Sequence, residues 1–200
     1  MTRFLPGILA MAAIVVASNI LVQFVLGDWL TWGAFTYPFA FLVTDVMNRV
    51  YGVAAARRVV LAGFAVGVAC SLIAAGLDKT TLRIALASGT AFLVAQMLDI
   101  AIFDKLRDGR WWSAPLASSL IGSAVDTALF FGIAFSAALP ADVNTGWANE
   151  AVPLLGQGQI APLWASLALA DWLVKLSLAL LALVPFRMIV RNLLGRRVEN

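Results

Sequence analysis

The stretch SSLIGSAVDTALFFGIAF, Ser118 to Phe135, decides the fold. Apart from Asp126, its residues are apolar or small, over a length close to the roughly 20 that a membrane-crossing helix needs. A carboxylate at the centre of such a helix costs about 2.5–3.5 kcal/mol on insertion scales, so Asp126 reads as functional until a partner accounts for it.

The rest of the chain has the same character. Of its 200 residues, 62% are hydrophobic and 12% charged, where a soluble domain is near half apolar and a quarter charged. The expectation is an all-α membrane protein, a single transmembrane domain over residues 1–200 with little soluble mass. Apolar runs predict six transmembrane helices at about 4–26, 32–48, 59–77, 82–103, 112–139 and 163–189. Breaks fall at Gly27–Asp28, Arg49–Arg58, Asp78–Thr81 and Asp104–Arg110, and a loop occupies about 140–162.

Lysine and arginine set the orientation. Arg3, Arg49, Arg57, Arg58, Lys105, Arg107, Arg110, Arg187, Arg191, Arg196 and Arg197 fall on one side, against only Lys79 and Arg83 on the other. Both termini are then cytoplasmic. The 140–162 loop, with Asp142 and Glu150 and no Lys or Arg, faces outward. Arg3 followed by AMAAIVVAS also fits a signal peptide, but the apolar run continues past Ser18 to Leu26, which favours a retained span.

Composition excludes much chemistry. The chain has no histidine and one cysteine, Cys70. It therefore has no Ser-His-Asp arrangement and no intrachain disulfide. No Gly-x-x-x-x-Gly-Lys-Ser/Thr loop occurs, and GQGQ at Gly156–Gln159 lacks the remainder of a dinucleotide fingerprint. No metal and no cofactor are expected. A basic face with interleaved aromatics, the footprint of nucleic-acid binding, is not seen.

Polar residues inside the spans carry the functional signal. Asp45, Asp99, Asp126 and Asp171 lie in spans, with Lys175 the one basic residue deep in a span. Asp45 with Arg49 and Asp171 with Lys175 are i,i+4 pairs that can lower insertion cost. Asp99 and Asp126 have no such partner, so each must protonate, pair across helices, or face water or a cation. At about 1.5 Å per residue, Asn19, Gln23, Asp126 and Asp171 fall in the central-to-outer half and Lys175 near the middle. Gln96 lies slightly inward, and Asp45 and Asp99 toward the cytoplasm. Polar groups at successive depths suit a permeation path.

Ser119, Gly122 and Ser123 share a stripe with Asp126, which serves close packing or leaves room for a ligand. Packing is the better reading for Gly122; Ser123 and Thr127 stay open. Trp172, beside Asp171, can stack a planar ligand or face lipid. Trp32, Trp111 and Trp112 read as interfacial anchors.

Several stretches resemble the YhhQ-type queuosine precursor transporters, small six-helix proteins of the bacterial inner membrane: SNILVQ (Ser18–Gln23), TWGAFTYPFAFLVTDVMNRVYG (Thr31–Gly52), QMLDIAIFDKLR (Gln96–Arg107), WWSAPLASSLIGSAVDTALFFGIAF (Trp111–Phe135) and DWLVK (Asp171–Lys175). The resemblance implies multi-pass residence in the inner membrane. It also implies a fold like the substrate-binding components of energy-coupling-factor vitamin transporters. The implied cargo is 7-cyano-7-deazaguanine, with its aminomethyl analogue as second candidate, salvaged for queuosine in tRNA. The stretch between Leu139 and Pro162 is longer than the family pattern.

The residues suit such a cargo on separate grounds. A deazaguanine presents a ring N–H and an exocyclic amine side by side, and a carboxylate accepts both. Its carbonyl needs a donor. The expected substrate-binding set is Asn19, Gln23, Gln96, Asp126, Asp171, Lys175, Ser123, Thr127 and Trp172. Thr44, Asp45, Arg49 and Asp99 are expected on the transport path or in coupling.

Two alternatives remain. One is a binding subunit that needs a separate ATPase module, for which Ala13 and Ala17 form a docking stripe of low specificity. The other is an intramembrane aspartyl enzyme using Asp45 and Asp99. A homo-oligomer is compatible with the sequence, and the expected partners are the deazapurine and the lipid bilayer, with no nucleic acid.

Overall fold

The computed structural model describes residues 4–140 and 143–198. Arg3 and Asp142, used above in the charge pattern, lie outside them, as do the side chains of Arg196 and Arg197. Seven helical segments follow in order among the described residues: α1 (Leu5–Leu21), α2 (Gly33–Thr36), α3 (Phe39–Tyr51), α4 (Val53–Gly76), α5 (Leu82–Leu106), α6 (Ser113–Phe135) and α7 (Leu163–Val198). In hydrocarbon every backbone group needs an internal partner, and helices supply one. Four of these helices, α4 to α7, are long and apolar enough to cross a membrane, and α1 is a shorter apolar helix.

The boundaries differ from the apolar runs in ways the local residues explain. α1 stops at Leu21, short of Leu26, because Val25–Leu26 (β1) folds back on Leu30–Thr31 (β2) in a tight antiparallel hairpin. Gly27 supplies the positive φ (64°) that this turn needs. The second run is two pieces. At Tyr37 and Pro38 the backbone stays helical. Pro38, lacking an N–H, interrupts only the hydrogen-bond ladder.

The basic segment Arg49–Arg58 is not a loop. α3 runs to Tyr51, Gly52 turns the chain at φ 85°, and α4 begins at once. Arg57 and Arg58 stand exposed on its first turns. α6 ends at Phe135, before the expected 139, and α7 continues past Ile189 to Val198.

The 140–162 stretch is structured. A 3-10 turn (Val143–Asn149) precedes a two-stranded hairpin, Ala151–Pro153 (β3) with Ile160–Pro162 (β4). It is tied to the bundle by Asn149 Nδ2 donating to the Phe135 carbonyl (2.9 Å) and the Leu155 N–H donating to Ser166 Oγ (3.0 Å).

The core lies where α1, α3, α4 and α5 meet, around Met11, Met47, Val59, Val60, Phe92 and Ile100. Small residues let these helices approach: a methyl on Gly63 would strike the Met11 side chain, and one on Gly7 would strike Met47. A second cluster joins α3, α5 and α7 through Phe103 and Phe186, whose rings meet edge-on at 6.1 Å. Leu61, Leu72, Ile73, Leu86, Leu181 and Val184 project outward, as apolar side chains bathed in lipid can.

The two ends of the bundle are chemically distinct. At one end the C-termini of α3 and α5 cap each other: Arg49 donates to the Arg107 carbonyl, and Arg107 donates to the Asn48 carbonyl (2.9 Å). Arg58 lies over Phe4 there, and Arg187 over Trp111 (4.6 Å). At the other end Arg83 donates to the carbonyls of Ile133 (2.7 Å), Ser136 (2.6 Å) and Pro140 (3.1 Å), where α6 leaves orphan acceptors.

Candidate functional site

α6 brings Asp126 to face Lys175 of α7, and the two bond at 2.7 Å. Lys175 also reaches Asp171, one turn earlier on α7, at 2.5 Å. Thr127 bridges them: its hydroxyl donates to Asp171 (2.9 Å) and accepts from the Lys175 ammonium (3.0 Å). The Tyr37 hydroxyl, at the α2–α3 break, donates to the free Asp126 oxygen (3.2 Å), and Lys175 Nζ stands 5.5 Å from that ring's centroid. Asp126 is 3% exposed and Lys175 5%. A buried ion pair endures only when its remaining polar valences are filled, and these hydroxyls fill them. Two carboxylates against one ammonium leave a formal charge of −1.

A second polar group lies nearer the arginine-capped end. Asp45 of α3 accepts from Ser118 (3.1 Å) and Ser119 (3.2 Å) of α6. Asp99 of α5 sits beside Asp45 and Ser118. Neither of its oxygens has a hydrogen-bond donor among the described residues. Thr44, one residue before Asp45, donates to Gln96 Oε1 (2.5 Å), while Gln96 Nε2 is buried without a partner among the described residues.

A narrow cleft between α3, α6 and α7 joins the two groups, with Asp45, Ser119, Ser123 and Lys175 in its wall. It has space inside for little more than one water. A bicyclic base would enter only if these helices moved apart.

The expected residues therefore divide. Asp126, Asp171, Lys175 and Thr127 form one cluster. Ser123 lines the cleft beside them, its hydroxyl donating to the Leu120 carbonyl (3.1 Å). Trp172 is half-buried on the same helix, with its Nε1 unpartnered among the described residues. Gln96, Thr44, Asp45 and Asp99 belong to the second group.

Asn19 faces α4 instead, accepting from Ser71 (3.3 Å) and donating to its own helix at Val15 (2.9 Å). Gln23 is exposed just past the end of α1 and reaches back to the Asn19 carbonyl (3.4 Å). Neither bonds to the Lys175 cluster, because α1 packs on α3 and α4 rather than on α7. Arg49 does not pair with Asp45; it caps α5. Gly122 is a packing residue, since an added Cβ would lie 2.8 Å from the Phe41 ring.

Tyr37 and Ser118 were not foreseen as partners. A hydroxyl-bearing ring in an apolar run was the available signal for Tyr37. Ser118 lies only one residue from the Ser119–Ser123–Asp126 stripe.

Residues 31–190 match the profile of a family described as "Putative vitamin uptake transporter". The chain belongs to this family. It is also 32% identical over 206 positions to the queuosine precursor transporter of Escherichia coli (strain K12), with 94% of this chain and 86% of the relative covered. A "Probable queuosine precursor transporter" of Haemophilus influenzae is 31% identical, covering 84% of this chain and 72% of the relative. One of Bacillus subtilis (strain 168) is 26% identical, covering 76% and 68%. No solved structure matches the chain.

With its long apolar helices, the chain is a multi-pass membrane transporter. Asp45 and Asp99 do adjoin, as the aspartyl-enzyme reading required, but the family is one of transporters rather than enzymes.

Proposed function

We propose that this transporter imports queuosine precursors, 7-cyano-7-deazaguanine first and its aminomethyl analogue second, across the bacterial inner membrane for queuosine salvage. The names of its relatives support the cargo class. The observation that carries the site is the Asp126–Lys175–Asp171 cluster. It holds two carboxylates, which accept a ring N–H and an adjacent amine, beside one ammonium that donates to a ring carbonyl. Binding exchanges partners: the base takes a carboxylate from Lys175, and the freed ammonium turns to the base's carbonyl. Trp172 Nε1 and Gln96 Nε2, both buried without partners among the described residues, are further donors.

The same reading makes the chain one transmembrane domain of six spans. α1 is the first, α2 with α3 the second, and α4 to α7 the rest. The clustering of basic side chains at one end of the bundle supports cytoplasmic termini.

Titrating 7-cyano- and 7-aminomethyl-7-deazaguanine, with guanine as control, against purified wild type and Asp126→Asn tests the site. Saturable binding of a deazaguanine, weakened at least tenfold in the variant, is expected. Wild-type binding of neither base refutes the cargo, and equal binding by the variant refutes the role of Asp126. Uptake by the purified chain alone in liposomes separates a self-sufficient carrier from a subunit that needs an ATPase module.

A further inference from the structure

The base-holding cluster does not use Asp45 and Asp99, and their surroundings set them apart. Both are buried, at 2% and 0% exposure. Asp45 takes the hydroxyl protons of Ser118 and Ser119. Neither oxygen of Asp99 has a hydrogen-bond partner among the described residues, and its neighbour Asp45 is another acceptor.

None of the surrounding charged groups whose contacts are described answers the pair. Helix α1 carries no charged residue. Arg57 and Arg58 of α4 are exposed. Arg49 of α3 turns to the Arg107 carbonyl, Arg107 just past α5 to Asp104 and the Asn48 carbonyl, and Lys105 of α5 is exposed. On α6, Asp126 is held by Lys175 and Tyr37. On α7, Lys175 shares the cleft with Asp45 but gives its ammonium to Asp126 and Asp171. Arg187 lies over Trp111, and Arg191 is exposed.

Two buried carboxylates side by side, with no cation paired to either among the described residues, cannot both be ionised. One proton between them supplies the donor that Asp99 lacks, and such a pair titrates as a unit.

We propose that Asp45 and Asp99 form a proton-binding pair that couples movement of the transported base to movement of a proton. The coupling is mechanical. Asp45, Ser119, Ser123 and Lys175 share one cleft, and the Asp45 partners Ser118 and Ser119 sit on the helix that carries Asp126. Parting α6 from α3 and α7 to admit the base therefore removes serine donors from Asp45 and brings water to the pair. A proton enters from the side to which the cleft opens and leaves on the other; only an O–H bond forms and breaks.

The coupling rests on the proposed cargo, but the pair does not, so two arms separate the failures. Infrared difference spectra of the purified protein without substrate, recorded across a pH series, should show a protonated carboxyl C=O band that titrates. That band should be missing in both Asp99→Asn and Asp45→Asn. In proteoliposomes with an alkaline interior, the wild type should accumulate labelled 7-cyano-7-deazaguanine several-fold above the external concentration and lose this with a protonophore. Asp99→Asn should exchange the base in counterflow yet fail to accumulate it.

A band unchanged in both variants refutes the pair. Accumulation indifferent to the gradient, or kept by Asp99→Asn, refutes the coupling. Absence of wild-type counterflow refutes the cargo, and the infrared arm then decides the pair by itself.

Discussion

Replacing Lys175 with Met removes the one ammonium that two carboxylates share while nearly preserving side-chain length. Asp126, 5% exposed at its side chain, loses its 2.7 Å partner and keeps only the Tyr37 hydroxyl. Asp171, 16% exposed, loses its 2.5 Å partner and keeps Thr127. Breaking a buried pair from one side costs about 3–5 kcal/mol, most of it here at Asp126, since Asp171 retains some access to polar surroundings. At about 2–4 °C per kcal/mol for a chain of this size, thermal unfolding in detergent should fall by roughly 6–20 °C.

Asp126→Asn leaves Lys175 on Asp171 and keeps an acceptor for Tyr37, so its cost is about 1–3 kcal/mol. The double variant should then be more stable than Lys175→Met alone, because the orphaned charge is gone. A Lys175→Met protein melting within 2 °C of wild type, or a double variant whose loss equals the sum of the singles, would refute the reasoning.

Gly122→Ala should cost about 1–3 kcal/mol, since its methyl meets the Phe41 ring at 2.8 Å. Gly132→Ala, inside α6 with nothing within 4 Å, should melt at or slightly above wild type, since alanine favours the helix by about 0.5–1 kcal/mol. Arg83→Ala leaves three carbonyls around the end of α6 without their shared donor. Limited proteolysis should then cut the 136–150 segment several times faster, and Arg83→Lys should recover only part, because an ammonium lacks the planar fork of a guanidinium. Asp104→Asn breaks a pair with 45% and 30% exposed side chains, worth under about 1 kcal/mol, so its melting temperature should stay within about 2 °C of wild type.

Much of the candidate site was legible because charge in an apolar run is costly and therefore conspicuous. Asp126, Asp171 and Lys175 stand out by type and depth alone, and the i,i+4 spacing of the last two already paired them. That Asp126 meets them across the helices did not stand out, because the rotation of α6 against α7 has no signature in either helix. The same blindness let Asp45 be paired with Arg49 by spacing, whereas the structure turns Arg49 to a carbonyl at the end of α5. Asn19 and Gln23 bond to Ser71 and to the end of α1 rather than to the Lys175 cluster.

Boundaries failed where one residue outweighs a hydropathy average. Gly52 lets α4 start at once, and Gly27 folds a hairpin out of what reads as the end of a span.

By itself the sequence determined the solvent, the helical character of the long apolar runs and the one-sided spread of basic residues. These follow from transfer free energies that each residue carries wherever it lies: apolar runs seek lipid, their backbones must be helical, and arginines mark one side. Only the tertiary structure decided which acids meet a lysine and which meet each other. Hydrogen bonds and ion pairs act over about 3 Å, and residues distant along the chain reach that separation only once the helices have packed.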